Sequence, residues 1–208
     1  DASPSAGPCD RLELHRGEVR PGVELAWWRV GEGGIPLLLV HGWPETKLIW
    51  ERNVLPLAEA GFEVIVPDLR GFGDSQVPDD GFQDLAAHSL DLAALVRDVL
   101  GHAWCMAAGG DLGGGVVQDL GLRFPGLIRR QVMFNTILPI LTEAYDAAGL
   151  PPQPTERVRA NAGYFARQGR DADGLCLELG GAEGRVAYVE SFYTARGWAA
   201  DGAVPVDD

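Results

Sequence analysis

Apolar residues follow two rhythms along this chain. Short continuous runs occur at residues 36–40 (Pro-Leu-Leu-Leu-Val) and, with one leading glutamate, at 63–66 (Glu-Val-Ile-Val). Runs of this kind predict strands buried on both faces of a parallel sheet. Elsewhere apolar positions recur every three to four residues, as in Leu85, Leu92, Leu95, Val96 and Val99, with His88 and Ser89 on the same stripe. That spacing predicts one long amphipathic helix over 85–99.

In chain order, the pattern predicts strands at 12–15 and 23–30 joined by an Arg20-Pro21-Gly22 turn. A turn at 31–34, the strand at 36–40, a helix at 48–57 and the strand at 63–66 follow. Next come a glycine-rich turn at 67–75, the 85–99 helix, a strand at 103–108, a helix ending near Phe124 and a strand at 131–134. Strands alternating with helices predict an α/β fold, a mostly parallel sheet flanked by helices. Past Pro139 the character changes to helix-like stretches with Gly- and Pro-rich joints. Residues 1–139 are therefore read as the core, and 140–208 as a helical excursion over the rim of the sheet.

Composition adds mainly exclusions. A chain of 208 residues with 46% hydrophobic and 23% charged residues can bury a full core. Its net charge of −13 argues against nucleic-acid or anionic-membrane binding, which need basic surfaces. No apolar run approaches the length of a membrane span. Cys9, Cys105 and Cys176 are too few and too scattered for a metal motif or a disulfide framework. No metal is expected, a reducing cytoplasm is the expected compartment, and Cys105 is expected to pack as a small hydrophobe. The chain opens at Asp1 without Met or a signal-like segment, so the expectation is a trimmed start.

Candidate chemistry lies where predicted strands empty into loops. The 36–40 strand leads to His41-Gly42-Trp43-Pro44, and the 63–66 strand to Asp68-Leu69-Arg70-Gly71-Phe72-Gly73-Asp74-Ser75. The 103–108 strand leads to Gly109-Gly110-Asp111-Leu112-Gly113-Gly114, and the last strand to Asn135. In open parallel sheets ligands bind beyond the carboxyl ends of the strands, so these four loops converge on one rim. A strand, a glycine-tight turn and a helix start form the layout of a nucleophile elbow, with aspartate at the reactive position.

With these three motifs in order, 70 residues from His41 to Asp111, the chain resembles the α/β-hydrolases, and within them the epoxide hydrolase branch. That branch is related to the haloalkane and haloacetate dehalogenases. The resemblance implies a small apolar epoxide as substrate and water addition giving a vicinal diol, with no cofactor, through a covalent ester on Asp111. It implies backbone N–H groups of Trp43 and Leu112 as the oxyanion hole, and Trp43 and Pro44 at the substrate pocket. It makes His41, Gly109, Gly113 and Gly114 structural parts of the elbow and its surroundings, with a cis Trp43–Pro44 bond as in many relatives. Arg70 and Asp74 are expected to pair with each other or with neighbouring loops. Residues 140–208 become an incomplete helical cap, with Tyr164 as the acid for the leaving alkoxide.

Two departures bear on this reading. Leu112 and Gly115 offer none of the side-chain donors that the dehalogenases use, which lowers that alternative. The four histidines, His15, His41, His88 and His102, all precede Asp111, whereas an ester of this kind needs a histidine and a supporting acid to activate water. The expectation is a further C-terminal polypeptide, separate or continuous, that carries both. A non-catalytic ligand-binding protein of the same fold is the alternative from another class; the retained Asp111 argues against it.

Overall fold

The computed structural model describes residues 12–136, 147, 149, 167–168 and 171–195. The chain divides into two units, Asp1–Pro139 and Ile140–Asp208.

The first unit is built on six strands: β1 (Leu14–Arg20), β2 (Val23–Val30), β3 (Ile35–Val40), β4 (Phe62–Pro67), β5 (Cys105–Gly110) and β6 (Ile128–Phe134). They pair in the order β1-β2-β4-β3-β5-β6. The β1-β2-β4 end is antiparallel, and β4, β3, β5 and β6 run parallel. Helices α1 (Glu51–Glu59), α2 (Leu85–Ala94) and α3 (Leu112–Arg123) provide the connections between the parallel strands.

The two-residue period of each strand sends alternate side chains to opposite layers. Leu38, Val40 and Ile65 join Leu92, Leu95, Val116, Val117 and Leu120 of the α2–α3 side. Leu37, Leu39, Val64 and Val66 pack instead with Val54 of α1. Both faces of β3 and β4 are thereby covered, which is why these segments read as unbroken apolar runs. Each fully buried Leu, Ile or Val contributes roughly 1.5–3 kcal/mol relative to exposure. Cys105 is fully buried among them, and burial pushes its thiol up to about 12.

Several boundaries differ from the sequence expectation; β6, for one, begins at Ile128 rather than at residue 131, because it pairs with β5 from Cys105 onward. The first strand begins at Leu14 and runs to Arg20 rather than ending at residue 15, because its partner β2 offers a ladder along that whole length. The predicted 48–57 helix begins as a 3-10 turn (Lys47–Trp50), capped by Thr46, before α1 proper. The predicted 85–99 helix is α2 followed by a π-helical turn at Leu95–Val99, closed by a Leu100 N–H bond to Leu95 O. Finally, β5 continues into Gly109 and Gly110. Val40 of β3 and Phe134 of β6 pair with these glycines across the ladder, overriding their low strand propensity.

The second unit contains α4 (Ala172–Leu179) and α5 (Ala182–Ala195). Asp171 caps α4 by accepting from the Gly174 N–H, and Gly180 ends it at φ +66°. Among the described residues no helix is long and apolar enough to cross a membrane.

Candidate active site

Parallel strands deliver three loops to one edge of the sheet: residues 41–50 after β3, residues 68–75 after β4, and Asp111 after β5. At Asp111 the chain turns from strand to helix within one residue, at φ 51° and ψ −125°. A non-glycine side chain in that region costs on the order of 1–3 kcal/mol and persists only where its surroundings hold it. The surrounding glycines allow that close packing. A Cβ on Gly109 would lie 2.6 Å from Gly113 O, and one on Gly113 would collide with the carbonyl oxygens of Val40 and His41. A Cβ on Gly114 would strike the Thr136 hydroxyl, which donates to Asp111 O at 3.0 Å.

The Asp111 carboxylate is oriented by two backbone donors. Its Oδ1 accepts from Leu112 N–H at 2.7 Å and from Trp43 N–H at 3.0 Å. Leu112 belongs to the elbow itself, whereas Trp43 arrives on a separate loop 68 residues earlier in the chain. No hydrogen bond to Oδ2 is found among the described residues. One carboxylate oxygen is thus held by a pair of converging N–H groups, and the other is not fixed by any donor among the described residues.

The 41–50 loop is tied down at both ends. His41 Nε2 accepts from Leu69 N–H at 3.0 Å, and its Nδ1 lies 2.8 Å from Gly42 O, so the ring bridges two loops. Burial depresses its pKa, with the Gly42 carbonyl opposing. The Trp43–Pro44 peptide is cis. Glu45 Oε2 accepts from Gly42 N–H at 2.8 Å. Burial raises the Glu45 pKa and the nearby Asp111 charge adds to the rise, against the Gly42 hydrogen bond. Lys47 Nζ donates to Asp68 Oδ2 at 2.6 Å and to Asp74 Oδ2 at 2.5 Å, and Lys47 N–H donates to Asp68 Oδ1 at 2.7 Å.

Of the two arrangements expected for Arg70 and Asp74, the structure has the second: each pairs with neighbouring segments and not with the other. Asp74 bonds Lys47 and Arg16, while the fully buried Arg70 forks onto Asp91 and Asp80. The intervening glycines at 71 and 73, both at positive φ, turn the two side chains toward different neighbours.

Beside Asp111 opens a cleft of about 290 Å³. Gly110, Asp111 and Asn135 line it together with Glu45 and Asn53, and Val40, Ile49, Trp50 and Phe134 supply apolar wall. Trp50 and Phe134 meet edge-to-face, with ring centroids 5.9 Å apart. Trp43 contributes its backbone to Asp111, but neither it nor Pro44 is among the lining residues. The 3-10 turn at Lys47–Trp50 brings Ile49 and Trp50 to that wall instead. Sequence reasoning missed Glu45, Ile49, Trp50 and Asn53. Glu45 was the most accessible of them, standing immediately after the His41–Pro44 motif.

The remaining histidines sit away from this carboxylate. His15 stacks on Trp27, His102 bonds Glu63 at 2.9 Å, and His88 is buried with Phe72. Among the described residues no group of three or more His, Cys, Asp or Glu could hold a metal ion. Tyr164 lies outside the described residues.

Comparison with known proteins agrees with this geometry. The chain is 39% identical over 118 residues to the soluble epoxide hydrolase of Corynebacterium sp. (strain C12), covering 57% of this chain and 40% of that one. It is 30% identical over 129 residues to a non-heme chloroperoxidase of Streptomyces lividans, covering 61% and 46%. Among solved structures, the epoxide hydrolase CorEH without ligand superposes with a TM-score of 0.55 at 34% identity, over 61% of this chain and 43% of that chain. The chain thus spans less than half the length of these relatives. Residues 35–168 match the family of the alpha/beta hydrolase fold. With that match over most of its length and the strand order and elbow described above, the chain belongs to the alpha/beta hydrolase fold family.

Proposed function

We propose that this chain carries the nucleophilic half of an epoxide hydrolase, a hydrolase that adds water to an epoxide to give a vicinal diol. The observation that supports it best is the pair of N–H groups, at 2.7 and 3.0 Å, on one oxygen of the Asp111 carboxylate. The names of the relatives favour the same substrate class.

In this reading Asp111 Oδ2 attacks a ring carbon, the ring C–O bond breaks, and the leaving alkoxide takes a proton from the Tyr164 phenol. Tyr164 is assigned by its place in the sequence. The product is an alkyl ester on Asp111 whose carbonyl oxygen is Oδ1. Water then adds to the ester carbonyl carbon, and Oδ1 gains a full negative charge. The N–H groups of Trp43 and Leu112 stabilise that charge, each by roughly 3 kcal/mol on the usual mutational scale. Collapse breaks the bond from the ester carbonyl carbon to the alkyl oxygen, that oxygen is protonated and the diol leaves; the second proton of the added water returns to the Tyr164 phenolate, which restores both carboxylate and phenol. The proton taken from water and returned to the diol passes through a histidine. Both nitrogens of His41 are engaged, and the other three lie elsewhere, so this histidine and its acid are assigned to polypeptide outside the 208 residues. Intact mass of the purified material tests that assignment; a single species of 22.3 kDa with full turnover would refute it.

The apolar wall of Ile49, Trp50 and Phe134 suits an epoxide with an apolar substituent. The central test is Asp111→Ala in the intact protein. Diol formation is expected to vanish, and a trapped ester on the Asp111 peptide is expected in the parent protein after acid quench. Unchanged diol formation by the variant would refute the nucleophile.

A further inference from the structure

The two N–H groups on Asp111 Oδ1 have different origins. Leu112 N–H is fixed by the elbow's own backbone. Trp43 N–H is placed only as well as the 41–50 loop is held against the rest of the molecule. At its start the loop is anchored by the His41 ring and by Glu45. At its far end it is anchored by Lys47, whose ammonium is almost completely enclosed, with 5% of its side chain exposed. That ammonium reaches Asp68 and Asp74 in the loop after β4, and it also lies 5.5 Å from the centre of the Trp28 ring. Asp68 is itself fully buried and also accepts from the backbone N–H of Asp74 at 2.8 Å. One buried ion pair therefore joins the two loops four residues beyond the Trp43 donor.

We propose that Lys47 is a positioning residue for the second half of the reaction: its bridge to Asp68 and Asp74 holds the Trp43 N–H where Oδ1 becomes an oxyanion. The inference rests on the nucleophile reading given above. It makes an asymmetric demand on the two chemical steps. During ring opening Oδ1 loses negative charge, so a looser Trp43 donor does little harm. During ester hydrolysis Oδ1 gains a full charge, and the position of the donor matters most.

The test is a rapid-quench single-turnover experiment on the intact protein with styrene oxide, following the Asp111 ester by peptide mass spectrometry. In Lys47→Met the rate of ester decay is expected to fall about tenfold, part of the roughly 100- to 1,000-fold effect of deleting an oxyanion donor outright. The rate of ester formation is expected to stay within about twofold, and Lys47→Arg to recover most of the decay rate. Lys47→Met leaves the Asp68 carboxylate buried without its cation, so a second variant guards against loss of folding. Asp74→Ala removes only the half-exposed partner and is expected to slow decay about two- to threefold by the same logic.

A merely structural role would lower the amplitude of ester formed, through a smaller active fraction, and leave the decay rate unchanged. That pattern, or equal slowing of both steps, overturns the inference alone. Failure of the parent protein to form any ester on Asp111 overturns the inference together with the nucleophile reading.

Discussion

Replacing Gly113 by alanine sets two effects of similar size against each other. Alanine in place of glycine within a helix favours folding by about 1 kcal/mol, because the unfolded chain loses freedom. Against this, the new Cβ would collide with the carbonyl oxygens of Val40 and His41 and lie 2.8 Å from Val40 C. All three atoms are backbone at the end of β3, a central strand bonded on both sides, so none can retreat without moving the sheet. Overpacking costs about 1–3 kcal/mol, and the rigid neighbours place this site near the top of that range. The net expectation is a loss of about 2 kcal/mol, or roughly 4–8 °C in Tm for a protein of this size. Gly115→Ala is the matched control on the same helix. Its Cβ would meet only the Leu85 methyls, at 3.3 and 3.6 Å, and Leu85 is 40% exposed and free to yield. There the helix effect prevails, and Tm should rise by roughly 1–4 °C. Thermal melts of the two variants by circular dichroism, side by side with the parent, decide the matter. A Gly113→Ala protein as stable as the parent, or shifts of the same sign in both, would refute the reasoning.

His88 predicts an acid limb in stability. Burial, with Arg70 nearby, lowers its pKa from 6.5 to about 4, and its Nδ1 has no partner among the described residues. Because the folded pKa is depressed, the unfolded chain binds the extra proton between about pH 6.5 and 4. Stability is therefore complete above that window and falls through it on acidification, by about 3 kcal/mol from this group. Denaturant titrations of His88→Leu between pH 4 and 7 should show a flatter slope than the parent; an identical slope would remove His88 as the cause. Cysteine labelling gives a simpler check. With iodoacetamide at pH 8, Cys176, which is exposed, should react while Cys105 stays unmodified until the protein unfolds. Rapid modification of Cys105 in the native state would contradict its place in the core.

Much of this architecture could be read before any coordinates because several levels of the sequence agree with one another. β2 was found at its observed bounds, since its tryptophans and valines are bracketed by turn residues on both sides. The elbow was legible for a related reason: an apolar run, a cluster of glycines and one carboxylate have few other uses at a strand end. What escaped depends on pairing across space. Gly109 and Gly110 carry no strand propensity of their own and become strand because β3 and β6 flank them. The end of α2 gave no warning in its apolar spacing, because a π-helical turn adds a single residue without breaking the stripe. The partners of Arg70 and Asp74 were unreadable, since a flexible charged side chain four positions from another can be aimed anywhere by an intervening positive-φ glycine. Ile49 and Trp50 looked like one more amphipathic helix; the 3-10 turn that carries them alters which way they face.

The backbone at Asp111 has a consequence for how this protein can change over time. A residue at φ 51° and ψ −125° would fold more comfortably as glycine, and glycines already surround it. Mutational drift screened only for backbone strain would tend to erase the carboxylate, whereas its two N–H partners act to keep it. An aspartate at this position therefore depends on those partners, and on whatever its second oxygen does, to offset its backbone conformation. Gly109, Gly113 and Gly114 need no such offset, since packing alone defends them. Within one short turn, four neighbouring positions answer to two different filters, and a sequence that had lost the carboxylate would still keep the glycines that shape the turn.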